Sequence, residues 1–406
     1  MSTPRRIRLL QLVPEPLPSY RPDVAVLFGK YLPRLGIDCH IVGKSAAAAP
    51  AAADGFAAVA RSAATGPRWR RELGFFRLCL GQAWAANRRD CDLIQVRDMV
   101  SIGLLTLAIA RLRGIPFVYW ASFLMCDGRI ERSRAELAVR PSAHYYLTLA
   151  KGLIEKVWFY KVLLPCADHV FVQSEAMKQY MIARGIDGAK LTAAPMGVDT
   201  ETLRPGQIVP QRLPALRDAP VIAYLGTLDR SRHLPLLLDA FALVAARRPD
   251  ARLLLIGSSP TPGDLDELQA HARKIGVADQ LTITGWLAPP QALALLAGSQ
   301  AAVSYIPRGK LFDISSPTKL LEYLAMGVPA VGNDTPDQVQ VLRDSDAGWL
   351  TTSNAPALAE ALLAILADPA AARARAAAGI DYIEQQRSYR VLSARIADGY
   401  RRLLRP

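Results

Sequence analysis

The sequence predicts an α/β protein with two doubly wound domains, each built on a parallel β-sheet. Over its 406 residues, short apolar or β-branched runs alternate with longer segments of helical periodicity, and the alternation pauses once before it restarts. Such alternation is typical of right-handed βαβ units whose helices cover both faces of a parallel sheet. The length also agrees with two domains of about 100–200 residues each.

The first half of the chain contains the elements of one such domain. Residues 46–64 are alanine-rich without periodicity and are predicted to form a surface loop. The segments with helical spacing are Val24–Leu35, Arg68–Asn87, Ser101–Arg113 and Glu175–Arg184. The predicted strands are Arg8–Val13, Asp38–Val42, Leu93–Val96, Phe117–Trp120, His169–Val172 and Lys190–Ala193.

A proline-rich stretch, 203–220, interrupts the pattern as a linker would. Strands then follow at Val221–Leu225, Arg252–Ile256, Leu281–Thr284, Ala301–Tyr305 and Pro329–Gly332. The helices of this half are predicted at Leu234–Ala246, Leu265–Ile275, Pro290–Ala297, Thr318–Met326 and Ala357–Leu366.

These patterns set the expected domain boundaries. We expect an N-terminal domain at residues 1–203, a linker at 204–219 and a second domain at 220–387. An arginine-rich C-terminal helix at 388–406 is expected to return to the first domain. Because ligands bind beyond the carboxyl ends of parallel strands, two facing sheets would share an interdomain cleft.

The positive charge is concentrated in the first half of the chain. The formal net charge is +13; residues 1–205 contain 28 Lys and Arg against 17 Asp and Glu, whereas residues 206–406 contain 21 against 19. Such asymmetry suggests an anionic partner. No nucleic-acid-binding motif accompanies the charge, so an anionic membrane or a phosphate-bearing acceptor is favoured over nucleic acid.

Composition also predicts the compartment. No apolar run reaches the roughly 18–20 residues that span a bilayer, and the apolar segment Ile7–Val13 ends at Pro14, too early for a signal peptide. The five cysteines contain no C-x-x-C pair, and the histidines show no metal-ligand spacing. We expect a cytoplasmic protein, peripheral on the inner face of the cytoplasmic membrane.

The strongest local motif is the run 315–329, which reads as a loop, a helix and the start of a strand. Ser315 or Ser316 is expected to cap the helix, with Pro317 at its first position. The first-turn amides would then bind a diphosphate. Lys319 and the hydroxyls of Ser316 and Thr318 would add charge or hydrogen bonds.

The same helix carries a single acid, Glu322, on an otherwise apolar run. A buried carboxylate needs a partner, and a ribose diol would supply two donors. The alternative, given equal weight, is an ordinary capped helix whose Glu322 pairs with a nearby arginine.

The second motif is the loop 226–234, which follows the first strand of the second domain. Gly226 permits close approach of the backbone, and the guanidinium groups of Arg230 and Arg232 suit phosphate oxygens. The alternative is two solvated arginines, one of them paired with Asp229.

Taken in order, these motifs resemble those of glycosyltransferase family 4. The resemblance covers nearly all of residues 165–350 and is weaker before residue 160. Its carriers are Val172-x-Ser174-Glu175, Pro195-Met196-Gly197-Val198-Asp199, Gly226-Thr227-Leu228-x3-Arg232, Ile256-Gly257, Thr284-Gly285-Trp286 and Ser316-Pro317-Thr318-Lys319-x2-Glu322-Tyr323-x3-Gly327-x-Pro329. The family implies a GT-B fold, two Rossmann-like domains around a cleft, and sugar transfer from a nucleotide donor with retention of anomeric configuration.

The resemblance assigns roles to individual residues. Arg232 takes the place of a phosphate-binding lysine, and Thr227 stands where an arginine is usual, so one charge is missing or is supplied by Arg230. Arg230, Arg232 and Glu322 are the expected catalytic residues. The expected donor-binding residues are Gly226, Thr227, Gly257, Trp286, Asp313, Ser316, Thr318 and Lys319.

This chain departs from the family pattern in three places. The family's acid eight residues before Glu322 is Ile314 here, with Asp313 one residue out of register. The first βα loop is proline-rich, 14–22, where a glycine pair is common. Trp120-Ala121-Ser122 replaces a frequent histidine. Ser19, Arg21, Trp120 and Ser122 are the candidate acceptor-binding residues.

The resemblance also implies that fixed cations replace a metal, so no metal or other cofactor is expected. The leaving phosphate itself would accept the acceptor's proton, so no dedicated base is needed. Three D-x-D strings, 90–92, 264–266 and 344–346, resemble a metal motif but are interpreted as structural.

The expected reaction is transfer of a hexose from a UDP- or GDP-sugar to a lipid-linked saccharide in bacterial surface-polysaccharide biosynthesis. A nucleotide-sugar epimerase of the same fold and a non-catalytic partner protein are the alternatives.

Two segments are candidates for membrane contact. In 68–87 an apolar stripe of Trp69, Leu73, Phe76, Leu80 and Trp84 is favoured to pack on the sheet, and 142–164 suits a buried helix or a lipid surface.

Overall fold

The computed structural model describes residues 5–45, 55–63 and 65–405. The chain divides into two compact units: unit 1 is Met1–Met196 with Tyr389–Pro406, and unit 2 is Gly197–Ser388. The first boundary therefore lies at Met196, earlier than residue 203, and the expected linker at 204–219 is part of unit 2. Each unit is an α/β structure on a parallel sheet, which confirms the predicted fold class.

Unit 1 contains a seven-stranded parallel sheet in the order β3-β2-β1-β4-β5-β6-β7. Its strands are β1 Ile7–Leu17, β2 Ile37–Ser45, β3 Ala58–Arg61, β4 Leu93–Arg97, β5 Phe117–Ala121, β6 His169–Val172 and β7 Leu191–Ala193.

Two features of this sheet differ from expectation. β1 continues through Pro14 and Pro16, with a register shift against β2 between Leu12 and Pro16, so the expected loop begins later. β3 lies in the alanine-rich stretch expected to be a loop, of which residues 46–54 and 64 lie outside the described residues. β3 pairs with β2 from Ala58 to Arg61, and this pairing outweighs the low β-propensity of alanine.

The helices of unit 1 cover both faces of its sheet. A π-helical turn, Leu27–Tyr31, separates the first two, and another, Phe159–Leu163, follows the sixth. The helices are α1 Pro22–Ala25, α2 Leu32–Arg34, α3 Arg68–Ala85, α4 Val100–Arg113, α5 Met125–Val139, α6 Ala143–Trp158, α7 Leu164–Cys166, α8 Glu175–Ile182 and, after unit 2, α17 Tyr389–Leu403.

Unit 2 contains a six-stranded parallel sheet in the order β10-β9-β8-β11-β12-β13. Its strands are β8 Val221–Leu225, β9 Arg252–Ile256, β10 Leu281–Ile283, β11 Ala301–Ser304, β12 Ala330–Asn333 and β13 Trp349–Thr351. Its helices are α9 Pro235–Arg247, α10 Asp264–Lys274, α11 Pro289–Ala297, α12 Lys310–Asp313, α13 Thr318–Ala325, α14 Pro336–Ser345, α15 Ala355–Ala367 and α16 Pro369–Tyr382.

α17 completes the core of unit 1. Tyr400 is fully buried, its ring lies 5.1 Å from that of Phe171 between centroids, and its hydroxyl donates to Gln95 Oε1. Gly399 lets the helix approach closely, since a Cβ there would lie 3.0 Å from the Phe171 ring.

Among the described residues, no single helix has the length and apolar character to cross a membrane. The pair Ala355–Ala367 and Pro369–Arg387 meets the length and composition test together, with a bend of 107°.

We predict that Tyr400→Ala destabilises unit 1 by about 3–5 kcal/mol, because it leaves a cavity against Phe171 and removes a buried hydrogen bond. Denaturant unfolding followed by fluorescence measures the loss. Leu404→Ala, at a half-exposed position of the same tail, is the matched control and should change stability little. Equal effects of the two substitutions would contradict the assignment of α17 to the core.

Candidate active site

Two glycines at the carboxyl ends of β8 and β9 bring their backbones into contact. Gly226 and Gly257 have φ angles of +149° and +147°, a region that favours glycine. A Cβ at Gly257 would lie 2.0 Å from the Gly226 carbonyl oxygen, and a Cβ at Gly226 would lie 2.6 Å from Lys319 Cε. Any side chain at either position would therefore displace backbone or Lys319.

Lys319, in the first turn of α13, lies over these glycines. Its Nζ donates a hydrogen bond of 2.5 Å to Tyr224 Oη and lies 4.1 Å from the centre of that ring. Burial, with the nearby Arg232 charge, lowers the pKa of Lys319 to about 7, while the charges of Glu322 and Asp229 partly oppose the shift. Tyr224 was not among the expected site residues, because the sequence pattern showed only a strand residue there.

Arg232 lies in a 3₁₀ turn, Arg230–Arg232, close enough for its charge to act on both Lys319 and Tyr224. Its Nε is buried and has no hydrogen-bond partner among the described residues. An uncompensated guanidinium beside a buried lysine suits an anionic ligand with phosphate oxygens.

Arg230, unlike Arg232, is paired with acidic side chains among the described residues. Its guanidinium pairs with Asp264, at 3.2 Å, and with Glu267, both at the start of α10. It also lines a cavity of about 460 Å³ together with Tyr305 and Leu268. The structure therefore brings Arg232 to Lys319 and holds Arg230 on α10, so Arg230 does not supply an unpaired charge.

The N-terminus of α13 has no side-chain cap. Pro317 occupies the N-cap position, with extended backbone, and the helix begins at Thr318. The predicted serine cap is wrong, because Ser315 Oγ donates to the Phe312 carbonyl and Ser316 Oγ donates to Asp337. Asp337 is also bound to Arg387, so the Ser316 hydroxyl belongs to a buried polar network. The first-turn amides remain available to an anion.

Glu322 lies one turn after Lys319 on α13. Its side chain keeps part of its surface exposed, yet burial raises the pKa of its carboxyl to about 7, which the Lys319 charge partly opposes. Across the described residues, neither a hydrogen bond nor an ion pair involves this carboxyl. The arginine partner considered from sequence is thus not found, and a diol ligand would supply the missing donors.

The other expected donor residues surround this cluster unevenly. Gly257 forms a backbone bridge to Gly285, and the adjacent Trp286 is 73% exposed, so its ring is open to stacking. The Thr227 carbonyl accepts from Tyr224 Oη at 3.5 Å. Asp313, the acid one residue out of register with the family pattern, is paired with Arg308 at 2.7 Å.

The acceptor candidates in unit 1 include two that are inaccessible. Trp120 is buried between Phe28 and Phe171, with ring centroids 5.3 and 5.2 Å away, so its assignment is wrong. Ser122 is also buried, with its hydroxyl bound to Asp98. Trp120 is in strand β5, whose residues are all buried, and Ser122 comes directly after Ala121, the last residue of that strand.

Ser19 and Arg21 lie on the segment after β1 and are closer to solvent. Ser19 Oγ accepts from the Arg21 amide at 3.1 Å. The Arg21 guanidinium, 45% exposed, lies 3.2 Å from Asp23 and 3.6 Å from Glu15. Arg21 is therefore partly neutralised, which weakens it as a receptor for an anionic acceptor.

Beneath Arg21 lies a buried ion cluster that the sequence did not reveal. Arg97, at the end of β4 and with a fully buried side chain, lies 2.7 Å from Asp23, 2.9 Å from Glu15 and 3.6 Å from Asp98. The Arg97 charge helps to lower the pKa of Asp23, whereas burial raises the pKa of Asp98. The only sequence signal was a charged Arg-Asp pair after an apolar strand.

The three D-x-D strings contain carboxylates already paired with arginine. Asp92 binds Arg8, Asp264 binds Arg230, and Asp346 binds Arg375. The described residues contain no group of three or more His, Cys, Asp or Glu that would hold a metal ion. Metal independence stays a prediction.

Two family models together match most of the chain. Glycosyltransferase Family 4 matches residues 24–202, and Glycosyl transferases group 1 matches residues 219–368. The chain belongs to glycosyltransferase family 4. The structural neighbours below agree, so each unit is one of the two Rossmann-like halves of a GT-B fold.

Curated relatives of this family 4 chain are identical at about 30% or less. D-inositol 3-phosphate glycosyltransferase of Segniliparus rotundus is 30% identical over 214 residues, 52% of this chain and 46% of that protein. GDP-mannose-dependent alpha-(1-6)-phosphatidylinositol monomannoside mannosyltransferase of Mycobacterium tuberculosis is 27% identical over 234 residues, 56% and 60% of the two chains. The match thus spans about half the length of these relatives.

Solved structures resemble the family 4 chain over nearly its whole length. Sucrose-phosphate synthase from Thermosynechococcus elongatus has a TM-score of 0.70 at 20% identity, covering 98% of this chain and 99% of that one. The Anabaena protein HepE in complex with UDP-glucose has a TM-score of 0.67 at 15% identity, covering 98% and 100%. At these identities the likeness establishes the fold.

We predict that Arg97→Met destabilises unit 1 by about 3–5 kcal/mol, because Glu15 and Asp23 would remain buried without their cation. The deficit should shrink as pH falls and the Asp23 carboxyl becomes protonated. Arg111→Met, which breaks an exposed pair with Asp168, is the control and should cost at most about 1 kcal/mol in the same denaturant titration. A loss no larger than the control's would contradict the buried cluster.

We also predict that nucleotide-sugar affinity falls as pH rises through about 7. A diphosphate favours protonated Lys319, which loses its charge over this range. Calorimetry with UDP-glucose and GDP-mannose should show the affinity declining by up to about tenfold per pH unit above that point. Binding in this range should be accompanied by proton uptake. Lys319→Met should bind more weakly at low pH and lose most of the dependence. A flat profile for the unsubstituted protein would contradict this placement of Lys319.

Proposed function

We propose that this chain is a retaining hexosyltransferase that uses a nucleoside diphosphate sugar as donor. The observation that carries the proposal is the set of unpaired groups at one edge of the unit 2 sheet. Among the described residues, the Arg232 Nε has no partner, the α13 amides have no side-chain cap, and no donor binds the Glu322 carboxyl; Lys319, bound only to the Tyr224 hydroxyl, can add positive charge. A nucleoside diphosphate has the complementary groups.

In the proposed complex the diphosphate lies on the first-turn amides of α13. Arg232 and Lys319 neutralise its oxygens, with Lys319 kept protonated by the negative charge of the ligand, and Glu322 accepts hydrogen bonds from the ribose hydroxyls. Trp286, exposed beside the Gly257–Gly285 bridge, offers a stacking surface for the base. These groups act most strongly in a site from which water is excluded.

The proposed reaction breaks the bond between the anomeric carbon and the phosphate oxygen. Negative charge grows on the departing diphosphate, so stabilising cations and amides that are already in place lower the barrier. The acceptor hydroxyl attacks the same face of the sugar, and its proton passes to the leaving phosphate oxygen. Atoms and charge balance without a separate protein base.

For the acceptor, we propose a saccharide linked to a lipid, in bacterial surface-polysaccharide biosynthesis at the inner face of the cytoplasmic membrane. Two of the relatives are named as mannosyltransferases acting on phosphatidylinositol compounds, and a structural neighbour with a TM-score of 0.63 is named as a glycosyltransferase of lipopolysaccharide biosynthesis. The basic excess of residues 1–205 agrees with an anionic environment.

We predict that Arg232→Ala and Glu322→Ala each lower turnover at least about 100-fold, because each removes a group that contacts the donor. Arg230→Ala is the matched control: its guanidinium is already held by Asp264 and Glu267, so a loss below about tenfold is expected. Release of UDP or GDP from nucleotide sugars is the readout, and thermal unfolding checks each fold.

The outcomes separate the alternatives. Wild-type turnover by Glu322→Ala would contradict the site. A new sugar isomer formed from donor without acceptor would identify an epimerase, and the absence of calorimetric binding to UDP, GDP and their sugars would identify a non-catalytic protein. Turnover in EDTA tests the expected metal independence.

A further inference from the structure

α6 presents an apolar face that the rest of unit 1 leaves uncovered. Leu147 is 72% exposed, and four more large residues are at least half exposed. With Leu147 they form what we call the α6 face: Tyr146, Leu147, Ile154, Val157 and Trp158. Surface residues of this size normally occur singly, so five on one helix form an unusual patch.

The helix geometry places these side chains together. At 3.6 residues per turn, Leu147, Ile154 and Trp158 lie in one row, and Tyr146 and Val157 flank it on the same side. The opposite side of α6 packs against α5. Gly152 of α6 is buried there, and a Cβ on it would lie 3.0 Å from Cγ1 of Ile130 in α5. α6 is therefore held by its inner side, and its outer side is free.

α3, the other candidate for lipid contact, is different. It packs inward through Phe75, Cys79 and Ala83, so the predicted packing of the Trp69–Trp84 stripe on the sheet is wrong. The exposed rings of Trp69 and Trp84 lie under the guanidinium groups of Arg70 and Arg113. In the part of the chain that the structure describes, the ring of Trp158 has no such aromatic or cationic partner.

The charges around the α6 face are predominantly positive. Residues 125–166 contain seven Lys and Arg against four Asp and Glu. Two of the acids are neutralised within the fold, since Asp127 binds Lys156 at 2.8 Å and Glu155 pairs with Arg129. Lys151 lies within the apolar row with 62% of its side chain exposed and its Nζ 3.8 Å from Glu155. The other exposed cations of residues 125–166 are Arg132, Arg134, Arg140 and Lys161.

We propose that the α6 face docks unit 1 on an anionic lipid surface, with its apolar residues among the upper acyl chains and its cations at the headgroups. An exposed apolar face that includes an exposed lysine, in a segment with more cations than acids, has the composition of an interfacial helix. A second copy of the chain fits less well, because a twofold contact would bring each Lys151 toward its counterpart. The inference deepens the membrane location proposed above and is independent of the donor chemistry.

Vesicle sedimentation tests the proposal. The full chain should sediment with phosphatidylcholine vesicles that contain phosphatidylglycerol and much less with phosphatidylcholine alone. A Leu147→Glu/Ile154→Glu variant should lose at least about tenfold in partitioning, because two charges would enter the apolar layer. Lys151→Gln should lose about fivefold on anionic vesicles only.

Val209→Glu, at an exposed apolar position in unit 2, is the matched control and should bind vesicles like the unsubstituted chain. Calorimetric binding of UDP or GDP is measured on every variant, so failure of the docking face and failure of the donor site are seen separately. Absence of vesicle binding, or unchanged binding by the double variant, would overturn the proposal. A dimer that the double variant dissociates, without vesicle binding, would assign the face to a second copy.

Discussion

The donor side of this protein depends on two opposite charges that α13 carries into a buried position without joining them. Lys319 and Glu322 are one turn apart, yet no ion pair between them is found among the described residues, and burial moves the pKa of each toward 7. A buried, uncompensated ionisable group costs stability. The free protein therefore keeps an unfavourable arrangement, which a ligand with both negative charge and hydroxyl donors would relieve.

The rest of the site is shaped around that arrangement. Gly226 leaves the volume that Lys319 occupies, Gly257 lets the Gly226 backbone approach, and the Tyr224 hydroxyl accepts a hydrogen bond from Lys319 Nζ. Arg232 adds charge that makes protonated Lys319 less favourable in the free protein. In unit 1, by contrast, a buried charge is neutralised within the fold, because Arg97 lies among three carboxylates. A cation that is paired inside the fold, as Arg97 is, therefore adds to the net charge of a segment without being available to a ligand.

The sequence was sufficient for the parallel sheets, most elements and the glycines of the donor side, because these follow from local periodicity and backbone freedom. It was insufficient wherever a partner is distant in the chain. Ser316 binds Asp337, Arg230 binds residues of α10, and Trp120 is enclosed by Phe28 and Phe171. None of these partners is specified by spacing. The ion cluster of Arg97 at the end of β4 was missed for the same reason, since two of its three carboxylates, those of Glu15 and Asp23, come from β1 and α1.

α13 begins without a side-chain cap because Pro317, which has no side-chain acceptor, occupies its N-cap position. Other helices of this chain use a conventional cap: Ser142 accepts from the Tyr145 amide in α6, Ser174 from Met177 in α8, and Asn354 from Ala357 in α15. α13 is preceded by two serines, yet both hydroxyls are bound elsewhere. A serine oxygen on the first-turn amides would stabilise the helix by about 1 kcal/mol, but it would occupy the positions that a phosphate oxygen needs. Pro317 at the N-cap therefore leaves these amides to a ligand, while Asp337 and Arg387 hold the Ser316 hydroxyl in the buried polar network that precedes the helix.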